Sequence, residues 1–422
     1  MRALDWQLEW IPEQSQAKLL LSVQGVCITE HQDFFDHDRV KSALVVDPVP
    51  LAEWFIANWW RLRFEGEESR APGIDWRMSH CLAGAGQGST WPTLCFGSDG
   101  EAIHCQARPT EGHTAPLRFL NALDSWIPAQ AFEQAVDDLL DYILQGQPAD
   151  HPVKELWQQL QEERLSKEIS LWRQLEARMG YDPDTAPEAL LTRLLQWRTA
   201  MGKQAVEEIA AEPSEDPVGE FEQIQAALEN SSHCMRNFDR DWVDAGNTAH
   251  SPGHEPPWKK AARVAMHVRK QLGIGVEPLS NDRLTDYLSV ARDILTQQFP
   301  STPWAAGLRA ERGVKIHLAA TRETGRRFSL ARLLGDHLHT SIRENLLPLT
   351  QAKTGRQKFQ RAFAQQLLCP FEGLVAWLNT ERPNEEQMES AADHFNVSSM
   401  VVQHAFENKA FGMEFSNQHR VL

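Results

Sequence analysis

The side chains best equipped for chemistry in this 422-residue chain stand near its end, in the run RRFSLARLLGDHLH. Arg332, Asp336, His337 and His339 fall within one stretch there, Glu344 follows, and His317 precedes them in GVKIHLAA. Imidazole and carboxylate groups at helical spacing are the raw material of a metal site or of general acid–base catalysis. Asp336 and His339 share a helix face, so a metal held by them would take Glu344 or His317 as a further ligand. His337 and His339 point to different faces and cannot both serve one site within a regular helix. Arg332 and Asp336 are one turn apart, and this spacing predicts an ion pair between them.

Other groupings have plainer readings. His80, Cys81, Cys95, His104, Cys105 and His113 gather in the first third of the chain. Structural zinc sites use close Cys pairs that are missing here, so buried thiols are the simpler expectation. Cys95 and Cys105 flank a Ser-Asp-Gly turn and are expected to face each other across a hairpin. HQDFFDHD brings together His31, Asp33, Asp36, His37 and Asp38, a density that suits a divalent ion, but its Phe pair and flanks read as a turn. GAGQGS, residues 84–89, lacks the Lys-Ser/Thr of a phosphate-cradling loop and reads as a flexible turn. The 15 tryptophans, Trp6, Trp10, Trp54, Trp59 and Trp60 among them, point first to core packing and next to a protein interface.

The elements that must position these residues divide the chain into regions. Residues 1–127 read as a mixed α/β, Trp-rich N-terminal domain: strands around residues 4–27, a buried helix in PLAEWFIANWWRLRFE, and a hairpin over 91–108. Residues 128–246 read as a helical middle region, with one long amphipathic helix in VKELWQQLQEERLSKEISLWRQLEARMG and another in PEALLTRLLQWRTAMGKQAVEEIAAE. Pro, Gly and Ser make 247–257 a linker. Residues 258–422 read as a mainly helical domain with a small sheet, so the class expected is α+β.

Composition narrows the function. Hydrophobic residues at 42% and charged residues at 24% are those of a globular protein. No apolar run reaches membrane-spanning length, and the first residues lack the apolar core of a signal peptide. Six scattered cysteines fit reduced thiols in a cytoplasm. The net charge of −16 argues against the whole chain being a simple DNA binder, although Trp258–Leu422 carries 22 Lys and Arg against 16 Asp and Glu. A nucleic-acid contact would use this basic C-terminal region, through the helix Lys259–Lys270. SAADHFNVSSMVVQHAFENK has a helix-turn-helix layout, but its second helix has no Arg and only Lys409 at its end.

The C-terminal third resembles the ImmA/IrrE zinc metallopeptidases. Their central helix reads Arg-x-Phe-Thr-Leu-Ala-His-Glu-Leu-Gly-His; a Glu ligand lies on the next helix, six residues before Phe-Ala, and Leu-Leu-x-Pro follows. This chain keeps Arg326, Phe328, Leu330, Ala331, Leu334, Gly335, Leu338 and His339, then Phe363, Ala364, Leu367, Leu368 and Pro370. Ala392, Phe395, Val397 and Ser398 match the pattern near the C-terminus, and the likeness runs over about residues 260–410. The ligand positions differ: Arg332 and Asp336 stand for the two histidines, Leu333 for the general-base Glu, and Gln357 for the third ligand. A guanidinium has no lone pair for zinc and leucine takes no proton.

The resemblance implies a zincin-like fold without catalytic residues or cofactor: a pseudopeptidase that binds a protein partner as sensor, regulator or scaffold. Active members of the family cut repressor-like partners, so phage defence, toxin–antitoxin pairs and mobile-element control are the settings implied. The alternatives are a divergent metalloprotease with a relocated site around Asp336 and His339, and a DNA-associated transcriptional regulator. A cytoplasmic protein without membrane contact is expected in each case.

Overall fold

A computed structural model describes residues 2–34, 39–67, 72–86, 89–112, 115–238 and 256–407. The chain forms two compact units, Met1–Thr192 with Lys353–Gly355, and Arg193–Ala352 with Arg356–Leu422. The division falls inside the helical stretch 128–246, which is therefore shared between both units. Helices and small antiparallel sheets together make the fold α+β.

In the first unit, β1 (Leu4–Trp10) and β2 (Ala17–Val23) form the hairpin expected from their alternating pattern, and Leu19, Leu21 and Val23 of β2 turn inward. β3 (Val26–Cys27) pairs with β2, β4 (His31–Asp33) pairs with β5 (Arg39–Lys41), and β6 (Leu44–Val46) pairs with β2. Helix α1 (Val49–Phe64) is apolar on most faces because it runs through the core, burying Leu51, Phe55, Trp59, Trp60 and Leu62. α2 (Ile74–His80) leads to β7 (Cys95–Ser98), β8 (Ala102–Ala107), β9 (Leu117–Phe119) and β10 (Leu123–Pro128). The order of one sheet is β10-β8-β7, and β9 pairs with β4.

α3 (Ala129–Gln145) closes at Gly146. The long helix expected next is instead two, α4 (Pro152–Leu165) and α5 (Lys167–Arg178). The break has a local cause: the Ser166 hydroxyl caps α5 by accepting from the backbone N–H of Ile169.

The hairpin over 91–108 forms, but Cys95 lies opposite Gln106 and Cys105 opposite Phe96, so these two cysteines do not face each other. Cys95 is bonded to Cys81, with Cα atoms 3.9 Å apart in an isolated antiparallel bridge. This corrects the expectation that all the thiols are reduced. Cys27, Cys105, Cys234 and Cys369 are free.

The second helix expected as continuous is also broken. α6 (Glu188–Met201) stops and α7 (Lys203–Ala210) starts at Gly202, whose φ of 110° is left-handed backbone that favours glycine. α8 (Pro217–Glu229) and β11 (Cys234–Met235) follow. The linker 247–257 lies mostly outside the described residues.

After it come α9 (Pro257–Leu272), α10 (Asn281–Leu288), β12 (Ala305–Ala310), β13 (Gly313–His317), α11 (Glu323–His339), β14 (Leu346–Leu349), α12 (Gly355–Leu368), α13 (Phe371–Leu378) and α14 (Glu385–Phe395). The sheet of this second unit is antiparallel, in the order β11-β13-β12-β14. One face, with Ala305, Val314, Ile316, Leu347 and Leu349, joins the core built by α9 to α14. On the other face Ala306 and Leu346 are buried and the Lys315 amine donates to the Glu229 carbonyl at the end of α8. Among the described residues, no helix is long and apolar enough to cross a membrane.

Candidate functional site

Helix α11 carries the positions that the sequence singles out, and α12 packs directly against it. Gly335 makes this approach possible: a Cβ there would lie 2.6 Å from a ring carbon of Phe363. Leu333, two residues before it, turns into the core, where its methyl groups meet Gly307 on β12.

The close packing brings Arg332, Asp336 and Gln357 into one region, but the bonds among them differ from the expected ion pair. Arg332 does not bond Asp336. Its Nη2 donates to Gln357 Oε1 at 2.6 Å, to Gln360 Oε1 at 3.1 Å and to the Thr350 carbonyl at 2.9 Å. The two glutamines are themselves fixed, each donating from Nε2 to the Pro348 carbonyl.

Asp336 is wholly buried and takes a two-pronged bond from Arg356 on α12, Nε to Oδ1 at 2.8 Å and Nη2 to Oδ2 at 2.7 Å. Arg356, which the sequence reading passed over, was signalled only by lying next to Gln357. An ion pair within one helix was the simpler expectation; the bond across two helices wins because it is bidentate.

The electrostatics follow from this arrangement. Burial pulls Arg332 down to about 9, helped by the like charge of Arg361, so it stays protonated at neutral pH. Burial also opposes the charge on Arg356, but Asp336 outweighs it and holds that guanidinium above its usual range. Arg361 lies below its usual value because burial exceeds the help of Glu208 and Glu212.

Zinc does not fit these residues. Both Asp336 oxygens accept from Arg356, and the Gln357 oxygen accepts from a guanidinium whose fixed charge repels a cation. The residues proposed for a relocated site are also committed elsewhere. His317 is buried on β13, where its Nε2 bonds the Thr302 hydroxyl at 2.7 Å, and burial lowers its pKa. His339 stacks on Phe359 with ring centres 4.0 Å apart. Glu344 accepts from the backbone N–H groups of Gln204 and Ala205. His337 Nε2 accepts from the Phe238 N–H at 3.4 Å. Among the described residues, no three His, Cys, Asp or Glu side chains are grouped as a metal requires.

The N-terminal candidates are likewise dispersed. His80 is buried between the Phe96 carbonyl and Glu65 and stacks on Trp76. His104 sits between Glu67 and Asp124 over the ring of Trp126. His31 meets the Thr29 carbonyl, and Asp33 pairs with Lys41. Asp36, His37, Asp38, His113 and part of GAGQGS lie outside the described residues.

The basic helix Lys259–Lys270 falls on α9, but Arg269 is fully buried and donates to the carbonyls of Leu367, Gly275 and Glu277. It is unavailable to a phosphate, and the buried Arg327 further reduces the positive charge at the surface. α14, the turn at Asn396 and a helical run over 399–407 reproduce the helix-turn-helix layout, while Lys409 lies outside the described residues.

No protein-family profile, curated protein or solved structure matches this chain.

Proposed function

We propose that the chain is a non-catalytic relative of the ImmA/IrrE metallopeptidases, and that it acts by binding a protein partner instead of cutting one. The observation that carries the reading is the pair of bonds Arg332–Gln357 and Asp336–Arg356 at the positions matching the family's ligands. Lone pairs that would hold a metal are spent on guanidinium groups, and Leu333 offers no base. What such a site retains is shape and charge, which suit recognition. By analogy with the resembled family, the partner is a repressor-like or toxin-like protein in mobile-element control, phage defence or a toxin–antitoxin pair, with the cytoplasm as the setting. In that compartment the Cys81–Cys95 bond is open to reduction.

Elemental mass spectrometry of the purified, tag-free protein tests this reading. Zinc, manganese and iron should each stay below about a tenth of an equivalent. About one equivalent, lost in His339→Ala or Asp336→Ala, would overturn it in favour of a relocated metalloprotease site.

A further inference from the structure

Helix α7 is bound to the same region of the second unit from both ends. Gly202 has no side chain to cap the helix, and the Glu344 carboxylate takes that place, accepting from Gln204 N at 3.2 Å and Ala205 N at 2.9 Å. Just past the helix, Glu212 Oε2 accepts from the backbone N–H groups of Gln351 and Ala352 at 2.6 and 2.9 Å. Asn345 adds a bond from its side-chain amide to the Ala200 carbonyl at 2.8 Å. Between these anchors Glu208 is 5% exposed, and its charge reaches Arg332, Arg356 and Arg361.

Without this helix and the turn after it, three guanidinium groups are left with two carboxylates. The carboxylates that act on Arg332, Arg356 and Arg361 are Asp336 on α11, Glu344 in the loop before β14, Glu208 on α7 and Glu212 just past it. Arg332 and Arg361 both donate to the Thr350 carbonyl, at 2.9 and 3.2 Å, so they are held together despite like charge. A buried cation cluster of this kind is complementary to carboxylates.

A second observation concerns packing. Leu194, Trp197, Val206, Ile209, Phe221, Ile224 and Leu228 are buried, yet none belongs to the large apolar cluster built by α9 to α14. They form a satellite layer, with Trp197 and Phe221 ring centres 4.2 Å apart. Such a layer can separate from a core that keeps its own contacts.

We propose that the arginine-bearing face of α11, β14 and α12 beneath α7 is the docking surface for an acidic helical segment of a partner protein, and that α7 is its resident occupant. The partner binds by displacing α7, and its carboxylates take the places of Glu208 and Glu212. This rests on the reading of the candidate site as a recognition surface. The affinity measured for a partner is its intrinsic affinity multiplied by the fraction of chains in which α7 is unseated.

The test uses the full chain and a fluorescent synthetic peptide copying residues 200–214, with a control peptide carrying Gln in place of Glu208 and Glu212. Fluorescence anisotropy should show weak binding to the wild-type chain and at least about tenfold tighter binding to the Glu208→Lys/Glu212→Lys chain. The control peptide should bind the double variant at least about tenfold more weakly than the acidic one, and Arg361→Gln should reduce binding of the acidic peptide. Equal affinity of the two peptides, or of the two chains, overturns the proposal. If the double variant does not fold, hydrogen exchange of the wild type decides. Amides of α7 that open at lower free energy than those of α11 and α12 support the proposal, and exchange of all three only by a common unfolding refutes it. Metal content reads independently: a stoichiometric metal would sink the pseudopeptidase reading whatever the peptide does.

Discussion

Asp336→Ala is the sharpest test of the bonds that fill the candidate site. The substitution removes both acceptors of a buried guanidinium and leaves Arg356 with the Leu346 carbonyl at 3.3 Å and Glu344 at 4.0 Å. Breaking a buried ion pair by removing one partner costs about 3–5 kcal/mol, because the other charge is stranded. Glu344 offsets part of this, so the lower end, about 3 kcal/mol, is the expected loss. For a unit of this size the corresponding fall in melting temperature is about 6–12 °C.

Because the chain has two units, the unfolding of the second is followed by hydrogen exchange of peptides from α11 and α12, not by a whole-chain signal. Asp336→Leu with Arg356→Met removes both charges and should recover most of the stability, and the double-mutant cycle then isolates the coupling. A single-variant loss below about 1 kcal/mol refutes the reasoning. So does rescue of Asp336→Ala by Arg332→Met instead of Arg356→Met, which would return the ion pair to one helix.

Three further outcomes are expected. Gly335→Ala places a Cβ 2.6 Å from Phe363 and should destabilise the second unit by about 1–3 kcal/mol; unchanged urea unfolding in α11 and α12 would contradict the close helix contact. Burial pulls the His104 pKa down, but Glu67 and Asp124 raise it above the usual value, so its stabilisation is complete below about pH 6.5 and is lost as pH rises through the raised pKa. Thermal unfolding of the first unit should therefore weaken above that pH in the wild type and less so in His104→Gln; superimposed profiles would rule this out. Thiol counting in denaturant without reductant should find four reactive cysteines of six, and Cys81→Ser should lose about 3 kcal/mol only in the absence of reductant; six thiols would refute the Cys81–Cys95 bond.

Much of this architecture can be read from local pattern. The alternation in β1 and β2, the apolar α1 and the Ser-Asp-Gly turn between β7 and β8 all report their own conformation. Helix breaks are harder, since Ser166 and Gly202 sit inside amphipathic runs whose period continues on either side. β12 and β14 are nearly invisible: AAGLRA has no β-branched residue and LLPL contains a proline, and both are strands because the sheet pairs them. At the site, helical spacing puts Arg332 and Asp336 on one face, but it says nothing of Arg356 arriving from another helix. Glu208 and Glu212 were hidden for a different reason: they lie far from α11 in sequence, in and just past a helix that looks like part of a separate middle region.

The cover that α7 and α8 give the sheet has a practical consequence for anyone dividing the gene. The proline-rich stretch before Trp258 invites a cut there, but a fragment starting at that point would lose α7 beside β14 and α8 beside β12 and β13. Ala306 and Leu346 would meet water, and β14, an edge strand, would stand open to pairing with another molecule. Aggregation of such a fragment would say little about whether the C-terminal region can fold. A fragment beginning ahead of α6, before Glu188, keeps α6, α7 and α8 whole and is the one to express.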